Sequence, residues 1–288
     1  MVERPARAES VALAIPCFNG AETLGAVLAA VARLDPAPSE VLVVDDGSTD
    51  ETRSLAAAAG VRVVAHGRNR GLGAARNTAL HETRAPVLLF LDDDCVPGPD
   101  LVSVVLEALV TEEFGGVGGC EASVGEGASG WDLWRAAFRP QTHGLEPLDE
   151  VWMLPGLCCA YRRKALEAIG GFDERFRTNG EDVDLGLRLR AAGWRLCYRP
   201  AARVTHLRRD GFMSLLGLCY RYNYWGAMAL RCNGAGAAHL LQGQLRWMVV
   251  SAGSSLKRLR SPLLAGASVF LGLAGLAGTL VGLVAPKG

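Results

Sequence analysis

Four short apolar runs alternate with helical segments over the first hundred residues, and no other feature limits the possible folds as much. VALAI (11–15), EVLVV (40–44), VRVVA (61–65) and VLLFL (87–91) are continuous stretches of β-branched residues and leucine. Residues 21–33, 50–59 and 72–83, lying between them, carry helical patterns. Buried strands separated by helices of this length predict an α/β fold with a mostly parallel central sheet covered on both faces. In such sheets ligands bind beyond the carboxyl ends of the strands. The polar clusters fall there: Pro16-Cys17-Phe18-Asn19 after the first run, Asp45-Asp46-Gly47-Ser48 after the second, Asp92-Asp93-Asp94 after the fourth.

Charge divides the 288 residues into unequal parts. The chain is half hydrophobic and 21% charged, with 30 basic and 30 acidic residues. That composition excludes a mainly disordered protein. Asp210 is the last acid, so residues 1–210 hold 30 acids against 23 bases, a net −7. Residues 211–288 hold Arg221, Arg231, Arg246, Lys257, Arg258, Arg260 and Lys287 and no acid, a net +7. Two parts so different are expected to meet different surroundings. Residues 263–285 are 23 consecutive uncharged residues bracketed by Pro262 and Pro286. As a helix they reach about 34 Å, enough to cross a hydrocarbon core. Lys257, Arg258 and Arg260 before the run outweigh Lys287 after it, which predicts a single-pass protein with its body in the cytoplasm. Tyr220, Tyr222, Tyr224, Trp225 and Trp247 predict interfacial helices between body and span. The expected divisions are therefore a catalytic body at 1–210, an interfacial region at 211–261 and a transmembrane helix with a short tail at 262–288. Gly278 and Gly282 form a G-x-x-x-G pair suited to close helix contact. The eight cysteines contain no C-x-x-C and read as reduced thiols. The polar start MVERPARAES carries no secretory signal. No nucleic acid is expected as a partner.

No G-x-G-x-x-G follows the first strand, and no P-loop motif occurs, so another device must neutralise any bound phosphate. Asp92, Asp93 and Asp94 supply one. In an extended segment Asp92 and Asp94 face one side and Asp93 the other. Such oxygen donors suit Mg2+ or Mn2+. Further on, Val183, Leu185, Leu187 and Leu189 give helical spacing over 181–191, closed by Gly193. Glu181 and Asp182 then occupy the first helical turn, where the helix dipole favours the ionised form.

Five stretches in order, VALAIPCFNGAETL, EVLVVDDGSTDET, NRGLGAARNTAL, FLDDDCVPGPDLV and GGFDERFRTNGEDVDLGLRLRAAGW, resemble glycosyltransferase family 2, of GT-A fold. The resemblance covers residues 11 to about 206 and implies an inverting enzyme that moves a sugar from a nucleotide-sugar to an acceptor hydroxyl. It implies that Pro16, Phe18, Asn19 and Asp46 contact the nucleoside, with Asp46 accepting from the base, and that Arg76 lines the nucleotide pocket. Asp92 and Asp94 match the D-x-D, with Asp94 a metal ligand and His206 placed to touch metal or diphosphate. Cys95 stands where many relatives carry another acid. Asp182 matches the general base, beside Glu181, and Gly156 matches a backbone contact to sugar or acceptor. Arg246 and Trp247 partly match the Q-x-x-R-W box of processive polysaccharide synthases and are acceptor-side candidates. The +7 tail points to a lipid-linked or membrane-delivered acceptor, with a glycan also open. The alternatives are a processive synthase, which needs spans paired in a homo-oligomer, and a non-catalytic nucleotide-sugar-binding scaffold.

Overall fold

A computed structural model describes residues 10–138, 141–234, 241–242, 245 and 262–285. The four apolar runs form β1 (Val11–Cys17), β2 (Glu40–Asp45), β3 (Arg62–Ala65) and β4 (Val87–Leu91). The segments between them form α1 (Leu24–Val31), α2 (Thr52–Ala58) and α3 (Leu72–Glu82). β1 pairs in parallel with both β2 and β4, and β2 with β3. Every residue of β1 and β4 is buried, so these strands need apolar side chains on both faces. Leu13, Ile15, Leu89 and Leu91 pack with Leu24 and Val27 of α1 on one face. Ala14, Leu42, Leu88 and Phe90 pack with Ala75 and Ala79 of α3 on the other.

The second half adds β5 (Cys95–Pro97), α4 (Leu101–Ala108), β6 (Phe114–Val124), α5 (Gly130–Phe138), β7 (Cys158–Arg162), α6 (Arg163–Ala168), α7 (Glu181–Ala191) and β8 (Arg195–His206). The sheet has eight strands in the order β3-β2-β1-β4-β7-β6-β8-β5. β7 runs antiparallel to β4 and β6, and β5 to β8, whereas β6 and β8 are parallel. Four of the seven pairings are parallel, as expected, and the antiparallel ones enter at β7 and β5 in the second half. β6 is rich in glycine because its neighbours come very close. A Cβ on Gly119 would lie 2.1 Å from the Ala202 carbonyl oxygen, and one on Gly116 2.7 Å from the Tyr161 ring.

Two long helices follow the body, α8 (Phe212–Cys232) and α9 (Pro262–Val284). Residues Gly266–Val284 of α9 are long and apolar enough to cross a membrane. α8 lies between the body and α9. Trp225 meets Phe176 edge to face at 6.0 Å, and Asn233 Nδ2 donates to Asp184 Oδ1 at 3.0 Å. On its other side α8 receives the glycine pair: a Cβ on Gly278 would fall 2.2 Å from the Tyr220 carbonyl oxygen, and one on Gly282 2.4 Å from that of Tyr224. The G-x-x-x-G pair therefore seats α9 on α8 of the same chain. Arg231 donates from both terminal nitrogens to the carbonyls of Leu283 and Ala285, covering the end of α9. Trp134 of α5 donates to Ser268 Oγ at 2.7 Å. Of the interfacial region expected at 211–261, residues 211–234, 241–242 and 245 are described, and most of them form α8. Arg246, Trp247, Lys257, Arg258 and Arg260 lie outside the described residues.

Candidate active site

The three aspartates emerge where β4 ends. The Asp92 amide donates to the Leu157 carbonyl at 3.0 Å, and the Cys95 amide to the Asp92 carbonyl at 3.1 Å, forming a tight turn. Asp93 accepts from Cys17 Sγ at 2.7 Å, and the turn, not the alternation of an extended strand, sets it apart from Asp92 and Asp94. Gly20 makes room for this contact, since a Cβ there would stand 2.2 Å from Asp93 Oδ2. Burial pushes the Asp93 carboxyl up to about 7, reinforced by Asp94 and Asp92.

Asp94 meets His206, the last residue of β8, with Nε2 at 3.1 Å from Oδ2. The other ring nitrogen, Nδ1, lies 3.3 Å from Glu121 Oε1. Burial alone would lower the imidazole, but the bonds to Asp94 and Glu121 raise it to about 9. Burial works against the Asp94 charge too, yet His206 holds that carboxyl below its ordinary range. The chain of charges continues away from the site. Arg135 bonds Glu121 at 2.7 Å and, through Nε, Asp210 at 2.9 Å. Asp210 also accepts from Arg208 and Ser214, each at 3.0 Å, at the start of α8.

Arg76 fixes the opposite wall. It is fully buried, between the rings of Phe90 and Phe172 at 5.7 and 5.5 Å. Its Nη1 donates to Glu181 Oε1 at 3.0 Å, and Nη2 to the Gly156 carbonyl at 2.7 Å. Asp92 Oδ1 lies 3.5 Å from the same Nη2. Arg76 therefore sits beneath the strand ends, where its guanidinium satisfies the buried Glu181 and Gly156 groups. Gly180, in the left-handed region at φ 84°, opens α7 and turns Glu181 inward. Glu181 is 3% exposed, whereas Asp182 keeps partial access. Asp182 Oδ1 accepts from the Val183 amide at 2.8 Å. Gly156 faces both acids: a Cβ there would be 3.4 Å from Asp182 Oδ2 and 3.5 Å from Glu181 Oε1. Burial, helped by Asp182, pushes Glu181 up to about 8, and burial likewise raises Asp182. The helix dipole alone predicts the reverse; here burial outweighs it. A carboxylate raised in this way is the stronger proton acceptor.

Beyond β1 and β2 the loops are tied to each other. Pro16 is buried in β1 opposite Val44, and Phe18 is 47% exposed at the strand end. The Asn19 amide donates to Ser48 Oγ, and its side-chain oxygen accepts from the Thr49 amide, both at 2.9 Å. Asp46 accepts the amides of Arg70 at 2.8 Å and Gly71 at 2.7 Å and contacts His66 Nδ1 at 2.6 Å. A carboxylate has about four acceptor directions, so most of Asp46 is committed to holding the loop before α3. Of these directions, one on Oδ2 has no partner among the described residues.

Strand ends carrying a D-x-D, an acid pair on a helix start and a histidine closing the last strand form one connected cleft floor. Residues 12–170 match Glycosyl transferase family 2. The chain belongs to glycosyltransferase family 2. It is 30% identical over 266 residues to the pre-mycofactocin glycosyltransferase of Mycobacterium tuberculosis, an alignment covering 88% of this chain and 55% of that one. The chain thus spans about half the length of that relative. The N-acetylglucosaminyl-diphospho-decaprenol L-rhamnosyltransferase of the same species is 31% identical over 219 residues, 62% of this chain and 70% of that one. A mannosyltransferase from Pyrobaculum calidifontis, solved in complex with GDP-Man and Mn2+, shares the GT-A fold with a TM-score of 0.65. It is 18% identical, and the match covers 97% of this chain and 88% of that chain.

The donor set of this family 2 chain fits a hard divalent ion. Asp94, Cys95 and His206 bring their ligand atoms within 4.8 Å of one another. The Cys95 thiol is pushed up by burial and by the neighbouring carboxylates and lies 3.4 Å from Asp94 Oδ1 as a donor. Asp94 and Asp92 supply the oxygen donors that suit Mg2+ or Mn2+, and His206 can join them once its imidazole gives up its proton. Sequence reasoning missed Glu121 and Arg135, which orient His206 from β6 and α5. The glycine-rich run around Glu121 has no alternation that would have marked it.

Proposed function

We propose that the chain transfers a sugar from a nucleotide-sugar donor to an acceptor hydroxyl with inversion at the anomeric carbon. The observation that carries this reading is the division of labour in the acid pair. Glu181 is locked on Arg76, whereas Asp182 keeps access to solvent beside Gly156. Asp182 takes the proton of the acceptor hydroxyl as its oxygen bonds to the anomeric carbon and the bond to the nucleoside diphosphate breaks. Asp94, His206 and Asp92 would hold the divalent ion, which when bound offsets charge on the departing diphosphate. Arg76 and Glu181 keep the first turn of α7 in place, and Phe18, Asn19 and Asp46 form the nucleoside end.

The acceptor is a lipid-linked or membrane-delivered hydroxyl, and the body works at the cytoplasmic face. The decaprenol-linked acceptor in one relative's name supports this, as does the acid-free chain after Asp210. Asp182→Asn tests the chemistry. The variant keeps nucleotide-sugar binding, read by thermal shift with Mn2+, while kcat falls by about 10²-fold or more. A variant that turns over at the wild-type rate removes Asp182 from the mechanism.

A further inference from the structure

Helix α9 is apolar on every side, yet its two faces have different neighbours. Leu264, Ser268, Leu271, Gly278 and Gly282 face α5 and α8. Leu263, Val269, Phe270, Leu273, Leu280 and Val284 face outward, between 44% and 81% exposed. They recur at helical spacing along about 32 Å, and nothing charged interrupts them.

The direction of α8 decides how this stripe meets a bilayer. α8 runs beside α9 in the same sense, Tyr220 at Gly278, Tyr224 at Gly282 and Arg231 at the final carbonyls. α8 is in turn fixed to the body at both ends, by Ser214 to Asp210 and by Asn233 to Asp184. Passing α9 through a bilayer in this packing would carry Arg221, which lies level with the last third of α9, and the α7 side of the body into hydrocarbon. An arginine held inside the hydrocarbon layer is costly. A bilayer lying along the exposed stripe meets none of these groups.

We propose, on the reading that this chain works at a membrane, that α9 does not cross the bilayer. With α8 it lies flat on one leaflet, and the outward stripe sinks into the acyl layer. The rim matches a headgroup region. Tyr220, stacked on Tyr224 at 6.1 Å, stands at the Gly278 contact next to exposed Arg221, and no acid follows Asp210. Anionic lipid fits this rim better than a second copy, which would set one basic rim against another.

The side of the membrane reached by the C-terminus separates the two placements. The full chain with a C-terminal peptide tag is exposed to protease in inside-out and right-side-out membrane vesicles. A flat α9 leaves the tag on the side of the catalytic body, so it is cleaved in inside-out vesicles alone. Cleavage in right-side-out vesicles alone overturns the flat placement and leaves the membrane reading standing. The double variant Phe270→Glu with Leu273→Glu then addresses the stripe itself. Its binding to vesicles of phosphatidylglycerol and phosphatidylethanolamine falls by about a hundredfold, as two large apolar side chains are withheld from the acyl layer. Thermal shift with the nucleotide-sugar is retained in the same variant, which reports an intact body. Unchanged vesicle binding overturns the proposal, as does a wild-type dimer that ignores vesicles. Wild-type protein that binds no vesicle at all overturns the membrane reading itself.

Discussion

The sheet body and the helix pair behind it bury their inner faces by opposite means. Under the strand ends, charge is matched with charge: Arg76 with Glu181, Glu121 with Arg135, Asp94 with His206. Between α8 and α9, contact depends on missing side chains, with Gly278 and Gly282 admitting the backbone of the neighbouring helix. Among the described residues, charge enters that interface at its far end, through Arg231. The body is thus specified by complementary chemistry and the pair by shape. The first is vulnerable to changes of charge at constant size, the second to changes of size without charge.

The largest expected break is Asp94→Ala, which removes a metal-ligand candidate and the partner of His206. Turnover in the presence of Mn2+ falls by about a thousandfold, in the range of a lost charge-stabilising group, while vesicle binding by the helix pair is unchanged. Near-normal turnover would detach the D-x-D from the chemistry. Next comes Arg76→Met, which is close in length and leaves Glu181 without its partner. Stability falls by about 3 kcal/mol, the cost of breaking a buried pair from one side, read as a lower urea midpoint at constant slope. A variant as stable as the wild type would mean that packing around Phe90 and Phe172, not pairing, holds this wall. The smallest effect sharpens the other half of the comparison. Gly278→Val forces a side chain against the Tyr220 carbonyl and costs about 2 kcal/mol, typical of overpacking. It lowers the thermal midpoint and loosens α9 while the nucleotide-sugar shift persists. Loss of donor binding instead would show that the helix pair shapes the cleft.

Much of the body was legible because its signals are local. The strand runs and the helix over 181–191 follow from short-range periodicity, and the structure places them within a few residues of their expected limits. Asp93 is set apart from Asp92 and Asp94 by a turn, not by the alternation of the extended segment that the sequence suggests. The depth of Arg76 was not legible. A motif can place a residue near a cleft without saying on which side of its floor it lies, and Phe90 and Phe172 come from distant stretches. Glu121 and Arg135 meet across two elements and leave no spacing to read. The uncharged run at 263–285 looks the same whether lipid surrounds it or half of it rests on protein. The glycine pair marks a close contact without naming α8 as the partner.

Leu207, Arg208, Arg209 and Asp210 alone separate His206 from Gly211 at the start of α8. Even drawn straight, that link reaches only about 17 Å. With α8 and α9 lying on a leaflet, transfer occurs at a short, fixed height above the lipid. A hydroxyl on a headgroup-borne sugar can be served without its tail leaving the acyl layer, and the product departs by drifting sideways. On the proposed placement, the pace of the enzyme would follow acceptor molecules per area of membrane, not per volume of solution.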